Sequence, residues 1–147
     1  MNKEILQIKL GLNPYQEKYI SKLKALPKEI KDEFKQHWEL TPEYALDKRT
    51  GIKWYRVTDE KQYTYDKAME KYGDSLPSKE EFETAEKHGI RVVLDDFKGS
   101  YWSASLVSSN RGSAWYFLSG GGVVYFFNCN NAYSVRRVSR PSDSQPS

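Results

Sequence analysis

The sequence predicts an α+β domain in which helices come first and short, twisted antiparallel strands follow. Two observations carry this. Through residue 88 apolar side chains recur mainly at helical spacing, as in Ile30, Phe34 and Trp38, whereas beyond residue 99 short aromatic runs alternate between clusters of Gly, Ser and Asn. A third, the 14% aromatic content of the 147 residues, indicates a core built on rings more than on aliphatic chains.

Taken in order, PYQEKYISKLKAL (residues 14–26) places Tyr15, Tyr19, Leu23 and Leu26 on one helical face, with Pro14 in the first turn. Pro27 restarts the pattern, and Ile30, Phe34 and Trp38 predict a second amphipathic helix through residue 40. In TPEYAL, Thr41 as N-cap and Pro42 as the first helical residue predict a short third one. Residues 1–45 therefore read as an α-helical N-terminal arm, followed by a domain over 46–140 and a disordered tail over 141–147.

Within that domain, the turn at Thr50–Gly51 leads into an alternating strand, Ile52–Val57. Thr64 caps and Gly73 stops a helix over TYDKAMEKYG. Ser78 and Glu81 form a capping box for a second helix that ends at His88 and Gly89. IRVVL (90–94) reads as a short apolar strand, and the strands beyond it break at Ser108–Gly112, Ser119–Gly122 and Asn128–Asn131.

Several function classes recede on composition. The formal charge is +3, with Lys and Arg interleaved among Asp and Glu through residue 98, so no phosphate-neutralising stripe forms and no nucleic-acid partner is expected. Lys3, Glu4 and Lys9 interrupt the start of the chain, and no apolar run reaches membrane-spanning length, so neither a signal peptide nor membrane insertion is expected. The expected site of synthesis and folding is a reducing cytoplasm, since the single Cys129 forms no internal disulfide. His37 and His88 fall in predicted helices without a partnered nucleophile, so no catalytic residue is assigned and the chain reads as no enzyme.

The stretch from Tyr101 to Arg140 is the most informative, because it holds no Asp, Glu or Lys. In YWSAS, Trp102 alternates with hydroxyls and is either a core ring or the floor of a site. Trp115 and Phe117 share one strand face and Tyr116 takes the other, so whichever face stays uncovered offers a large ring. Val123–Phe127 leaves at least one of Tyr125, Phe126 and Phe127 unburied unless its strand is central. Asn128, Asn130 and Asn131 follow as a loop of amide donors and acceptors, which beside rigid rings is the chemistry of binding loops; a turn between two core strands is the competing reading.

DKRTGIKW, TYDKAMEKYGDSLPSKEEFE, YWSAS, AWYF and YSVRRVSR, in that order, resemble a widespread bacterial and phage domain of the C-type lectin fold. The architecture is similar to that of the variable proteins of diversity-generating retroelements, whose last strands and loops are rewritten to change ligand specificity. Here GDSLPS stands where that family usually has Trp-Arg before Leu-Pro. The resemblance implies a C-type lectin-like domain that binds a protein or glycan ligand, with Trp102, Trp115, Tyr116, Phe117, Tyr125, Phe127, Asn128, Asn130, Asn131 and Tyr133 as ligand-binding residues. It also implies a structural role for Arg136, tying the last strand to neighbouring carbonyls, with Arg137 at the surface.

Met, Trp, Gln, Lys and Glu are absent from Tyr116 to Val135, and these are the residue types an adenine-mutated Asn codon ending in a pyrimidine cannot encode. That absence fits targeted diversification, as does an exposed Cys129. No metal or cofactor is expected: a calcium cage needs hard oxygen ligands, typically several carboxylates, and no carboxylate lies between Lys98 and Arg140. The helical arm, outside the resemblance, is expected to serve homo-oligomerisation or attachment to a particle such as a phage virion. The alternative function is therefore that of an assembly protein using the lectin-like domain as a scaffold.

Overall fold

The computed structural model describes residues 26–56, 61–94, 97 and 99–141. It is a mixed α+β structure with two small antiparallel sheets and, among the described residues, four α-helices. Helix α1 (Lys28–Lys35) leads into β1 (Trp38–Leu40), β2 (Tyr44–Asp47) and β3 (Ile52–Tyr55). Helix α2 (Tyr65–Tyr72), a 3-10 turn, α3 (Lys79–Lys87) and α4 (Ile90–Val93) follow. The chain then forms β4 (Ser100–Val107), β5 (Asn110–Leu118) and β6 (Val123–Asn128) before closing with β7 (Val138–Ser139). One sheet has the order β1-β2-β3-β7 and the other β4-β5-β6.

Two capping expectations hold at the level of atoms. Ser78 Oγ accepts from the Glu81 amide at 3.1 Å while Glu81 Oε1 accepts from the Ser78 amide at 2.7 Å, completing the capping box of α3. Gly89, at φ 86°, turns the chain from α3 into α4; a side chain there would strike the Phe34 ring, so α1 packs against that turn only because it is glycine.

Three local expectations are corrected. The helix expected through residue 40 stops at Lys35, and Trp38 opens β1, where it is buried and its indole N–H donates to the His88 carbonyl at 2.8 Å. The third helix at TPEYAL is a hairpin turn between β1 and β2, in which Thr41 Oγ1 accepts from the Glu43 and Tyr44 amides. The strand expected over 90–94 is the single helical turn α4.

The expected division at residue 45 is corrected with them. Ile30, Phe34, Trp38 and Ala45 share one buried cluster with Trp54, Phe82, Ile90, Leu94, Tyr101 and Phe117, so the described part of the arm belongs to the core of the domain. Residues 1–25, which hold nearly all of the helix expected over 14–26, and residues 142–147 of the tail lie outside the described residues.

The sheet β4-β5-β6 has a core on each side. Against one face lie α3 and Phe97, with Phe82 stacked on Phe117 at 5.0 Å between centroids and 5° between planes. Against the other lies α2, where Tyr65 meets Trp102 edge-on at 5.7 Å within a second cluster that includes Ala68, Leu76, Ala114 and Val135. Ring pairs of this geometry add about 0.5–1.5 kcal/mol beyond their burial.

Two buried arginines fasten the layers. Arg91 of α4 grips Glu86 of α3 through Nε (2.7 Å) and Nη2 (2.6 Å), and its Nη1 donates to the Ser119 carbonyl at 2.9 Å. Burial pushes the Glu86 carboxyl up, and the Arg91 fork opposes that rise. Gly122, at φ 69°, lets the β5–β6 turn lie directly on this pair. Arg136 is buried as expected, donating to the Tyr55 carbonyl at 3.0 Å and the Tyr101 hydroxyl at 3.2 Å, with its guanidinium over the Phe97 ring. Arg137 is half-buried above the Tyr55 ring.

Candidate binding face

The register of β5 and β6 sorts the predicted residues onto two faces. Trp115 pairs with Phe126, Tyr116 with Tyr125, Phe117 with Val124 and Ala114 with Phe127. Trp115, Phe117 and Phe126 therefore face α3, while Tyr116, Tyr125 and Phe127 share the face of Trp102, which pairs with Tyr116 across β4 and β5.

Two of the ten predicted residues are not available to a ligand. Phe117 is fully buried on Phe82. Trp102 is fully buried too, its indole N–H donating to the Tyr63 carbonyl at 2.7 Å, so of its two readings the core ring is the correct one. Both corrections have one cause: each ring lies under a helix packed on the sheet, α2 over Trp102 and α3 over Phe117.

Trp115, Tyr116, Tyr125 and Tyr133 are half-buried and form the border of the uncovered region. Tyr133 lies 4.7 Å from Trp102 and 4.5 Å from Tyr116, and its backbone exchanges two hydrogen bonds with Tyr63. Its phenol is pushed up to about 12, by burial first and then by the adjacent Tyr116 hydroxyl. Trp115 carries Phe126 edge-on at 5.2 Å and the Lys79 ammonium 4.3 Å above its ring.

The exposed centre of the region is Phe126 and Phe127, which are 55% and 51% exposed. Phe126 was missing from the predicted residues. Its alternation with Phe127 held the signal: on an edge strand with both inner faces occupied, adjacent rings are both left open at the free end.

The turn after β6 is held by its own amides. Asn128 Oδ1 accepts from the Asn130 amide at 2.8 Å, and the Asn128 carbonyl accepts from the Asn131 amide and side chain at 3.1 and 3.2 Å. It uses no left-handed residue, since among the described residues only glycines have positive φ. Cys129 is half-buried against the second core instead of exposed, and burial, followed by the charge of Asp66, pushes its thiol up.

A cleft of about 180 Å³ between the first sheet and α3 is lined by Asp47, Trp54, Glu80, Glu81 and Thr84 among others. It is small beside the roughly 300–1,000 Å³ of ligand pockets. Asp47, 1% exposed, holds His88 Nδ1 at 2.7 Å, a contact between β2 and the end of α3 that sequence spacing did not reveal. Arg140 clasps Glu81 with Nε at 2.5 Å and Nη2 at 2.6 Å and also donates to the Asp74 and Leu76 carbonyls.

Among the described residues no group of three or more His, Cys, Asp or Glu is placed to hold a metal ion, and no helix is long and apolar enough to cross a membrane. Comparison with protein families, curated proteins and solved structures found no match to this chain.

Proposed function

We propose that the chain is a non-enzymatic binding module that engages a protein or glycan, without calcium, through β6, the turn at 129–132 and the half-buried rings beside them. The observation that carries this reading is the pair Phe126 and Phe127, half-exposed on the two sides of one edge strand next to an amide-locked turn, whereas every other Phe, Tyr and Trp among the described residues is buried or half-buried. Rigid rings beside adaptable amides supply contact area at little entropic cost.

A C-type lectin-like fold belongs to the same proposal. What supports it is that β3, α2, α3, β4, β5 and β7 come in the order of the quoted motifs, with β3 paired to β7, although β1, β2, α4 and β6 stand outside those motifs. If the chain is a retroelement variable protein, DNA beside its gene holds a near-copy of codons 115–138 that differs at adenines, which sequencing would reveal. The assembly alternative takes second place because Ile30, Phe34, Trp38 and Ala45, in the described part of the expected arm, are buried in the core of the domain.

The test is the triple variant Phe126→Ala, Phe127→Ala, Asn130→Ala, screened beside the parent on a glycan array and a panel of purified bacterial surface proteins. Binding by the parent and none by the variant, with the melting temperature lowered by no more than about 4 °C, is the expected result. Equal binding by both would remove this face from the function.

A further inference from the structure

We propose that β6 receives an extended segment of another polypeptide as a fourth strand of the β4-β5-β6 sheet, and that this segment carries apolar residues in alternation and acidic residues at its flanks. The inference rests on the binding reading above and narrows its ligand from protein or glycan to a strand-forming peptide.

The backbone supplies the first argument. The Cys129 amide donates to the Gly112 carbonyl of β5 at 2.9 Å, which fixes the phase of the strand. By alternation Val123, Tyr125 and Phe127 direct their N–H and C=O groups toward β5, while Val124, Phe126 and Asn128 direct theirs away from it. The Asn128 carbonyl is taken by Asn131, which among the described residues leaves both groups of Val124 and Phe126 and the Asn128 amide for an incoming strand. On the opposite side of the sheet, the Trp102 amide donates to Ser134 and the Ser134 amide to Ser100, so that edge is already occupied.

The second argument is the lack of protection. Edge strands are ordinarily blunted by charge, proline, bulges or extreme shortness. β6 is six residues of VVYFFN without charge or proline, and its pairing with β5 runs without a register shift, whereas the β4–β5 pairing is irregular. The comparable edge of the other sheet, β1, is three residues long and carries Glu39.

Side chains and charge define the partner. Apolar residues of an added strand would meet Phe126 and Trp115 on one face and Phe127 and Tyr125 on the other. No carboxylate occurs from Gly99 to Arg140, while Lys79 stands over Trp115 and the exposed Arg111 opens β5 next to the end of β6. Asp66 acts at Cys129, past the last paired residue of β6. A strand with acidic flanks complements this rim, and a basic one is repelled.

The test uses acetylated peptides of about seven residues that alternate Val and Thr. One has Asp flanks, one Lys flanks, and two are Asp-flanked with backbone N-methyl groups on one edge or the other. Calorimetry with the full chain should show the acidic peptide binding about tenfold more tightly than the basic one at low salt, with binding lost on methylation of one edge and kept on methylation of the other. Amide exchange at Val124 and Phe126 should slow, with Tyr125 and Phe127 unchanged. Phe126→Pro should bind about tenfold more weakly than Phe126→Ala at equal stability, because both lose the ring but only proline lacks the outward N–H.

Equal loss from methylating either edge, or unchanged exchange at Val124 and Phe126, would overturn strand addition. So would glycan binding that depends on Phe127 in the absence of any peptide binding, which leaves the binding face intact and names a different ligand. A concentration-dependent dimer in sedimentation that Phe126→Pro dissolves would replace the foreign segment with a second copy.

Discussion

Trp102 on β4 and Phe127 on β6 face the same side of one three-stranded sheet, two strands apart, yet the first is sealed and the second is half open. The difference is set by the layer above them. Tyr65 of α2 closes over Trp102, and Tyr133 fills the space beside it, but that covering does not extend to the β6 edge. A ring in this part of the chain is structural or available according to its distance from the helix, and the composition of its strand does not decide the matter.

The comparison breaks most sharply on truncation. Trp102→Ala is expected to cost about 3–5 kcal/mol, because it empties a closed aromatic site. It also removes one of the two hydrogen bonds that the Tyr63 carbonyl accepts, the other coming from the Tyr133 amide. Urea denaturation followed by tyrosine and tryptophan fluorescence would show the midpoint shift at unchanged slope. A loss below about 1 kcal/mol would mean that α2 does not cover β4 as described. Arg91→Ala belongs with it: leaving the Glu86 carboxylate buried without its partner is expected to cost about 3–5 kcal/mol by the same measurement.

How much of this was legible in the sequence follows the reach of each interaction. The capping box of α3, the stop at Gly73, the hairpin turns after β4 and β5 and the turn after β6 are set by residues within a few positions of one another, and all were readable. Thr41-Pro42 was readable but ambiguous, since a Thr hydroxyl that accepts from amides two and three residues on serves a helix cap and a hairpin turn alike. IRVVL has strand-forming residues, yet it is a helical turn because Gly89 aims it so that Arg91 reaches Glu86. Trp38 kept its helical spacing from Ile30 and Phe34 but is drawn into β1, which pairs with β2. For the binding face, the aromatic and amide composition located the region, whereas separating Phe126 from Phe117 required knowing that β6 is an edge and β5 is central.

The second contrast concerns the chain's last described residues, where Arg140 ties the C-terminal segment to α3. Burial alone would raise the Glu81 carboxyl, but the Arg140 fork and the Ser78 amide hold it below its ordinary value of 4.5. A carboxyl lowered in the folded state adds stability that is present above about pH 4.5 and is lost as pH falls through the folded value. Arg140→Ala is therefore expected to cost about 1.5–3 kcal/mol at neutral pH. The gap between variant and parent should narrow as the solution is acidified below pH 4.5. Urea midpoints taken between neutral pH and the acid limb test the sign, and a gap that stays constant through acidification would place the cost in lost packing instead.

The smallest effect on stability is expected at the open end. Phe127→Ala removes a ring that is already half in water and has Ala114 as its cross-strand partner, so the change should cost less than about 1 kcal/mol. It is nonetheless expected to weaken ligand binding by about 2 kcal/mol or more, as aromatic anchors at interfaces do. The pairing of a small stability loss with a large binding loss distinguishes an interaction surface from an imperfectly covered core. Should Phe127→Ala instead approach the cost of Trp102→Ala, the β6 edge would have to be covered by part of the chain itself, and Phe127 would join Trp102 as a structural ring.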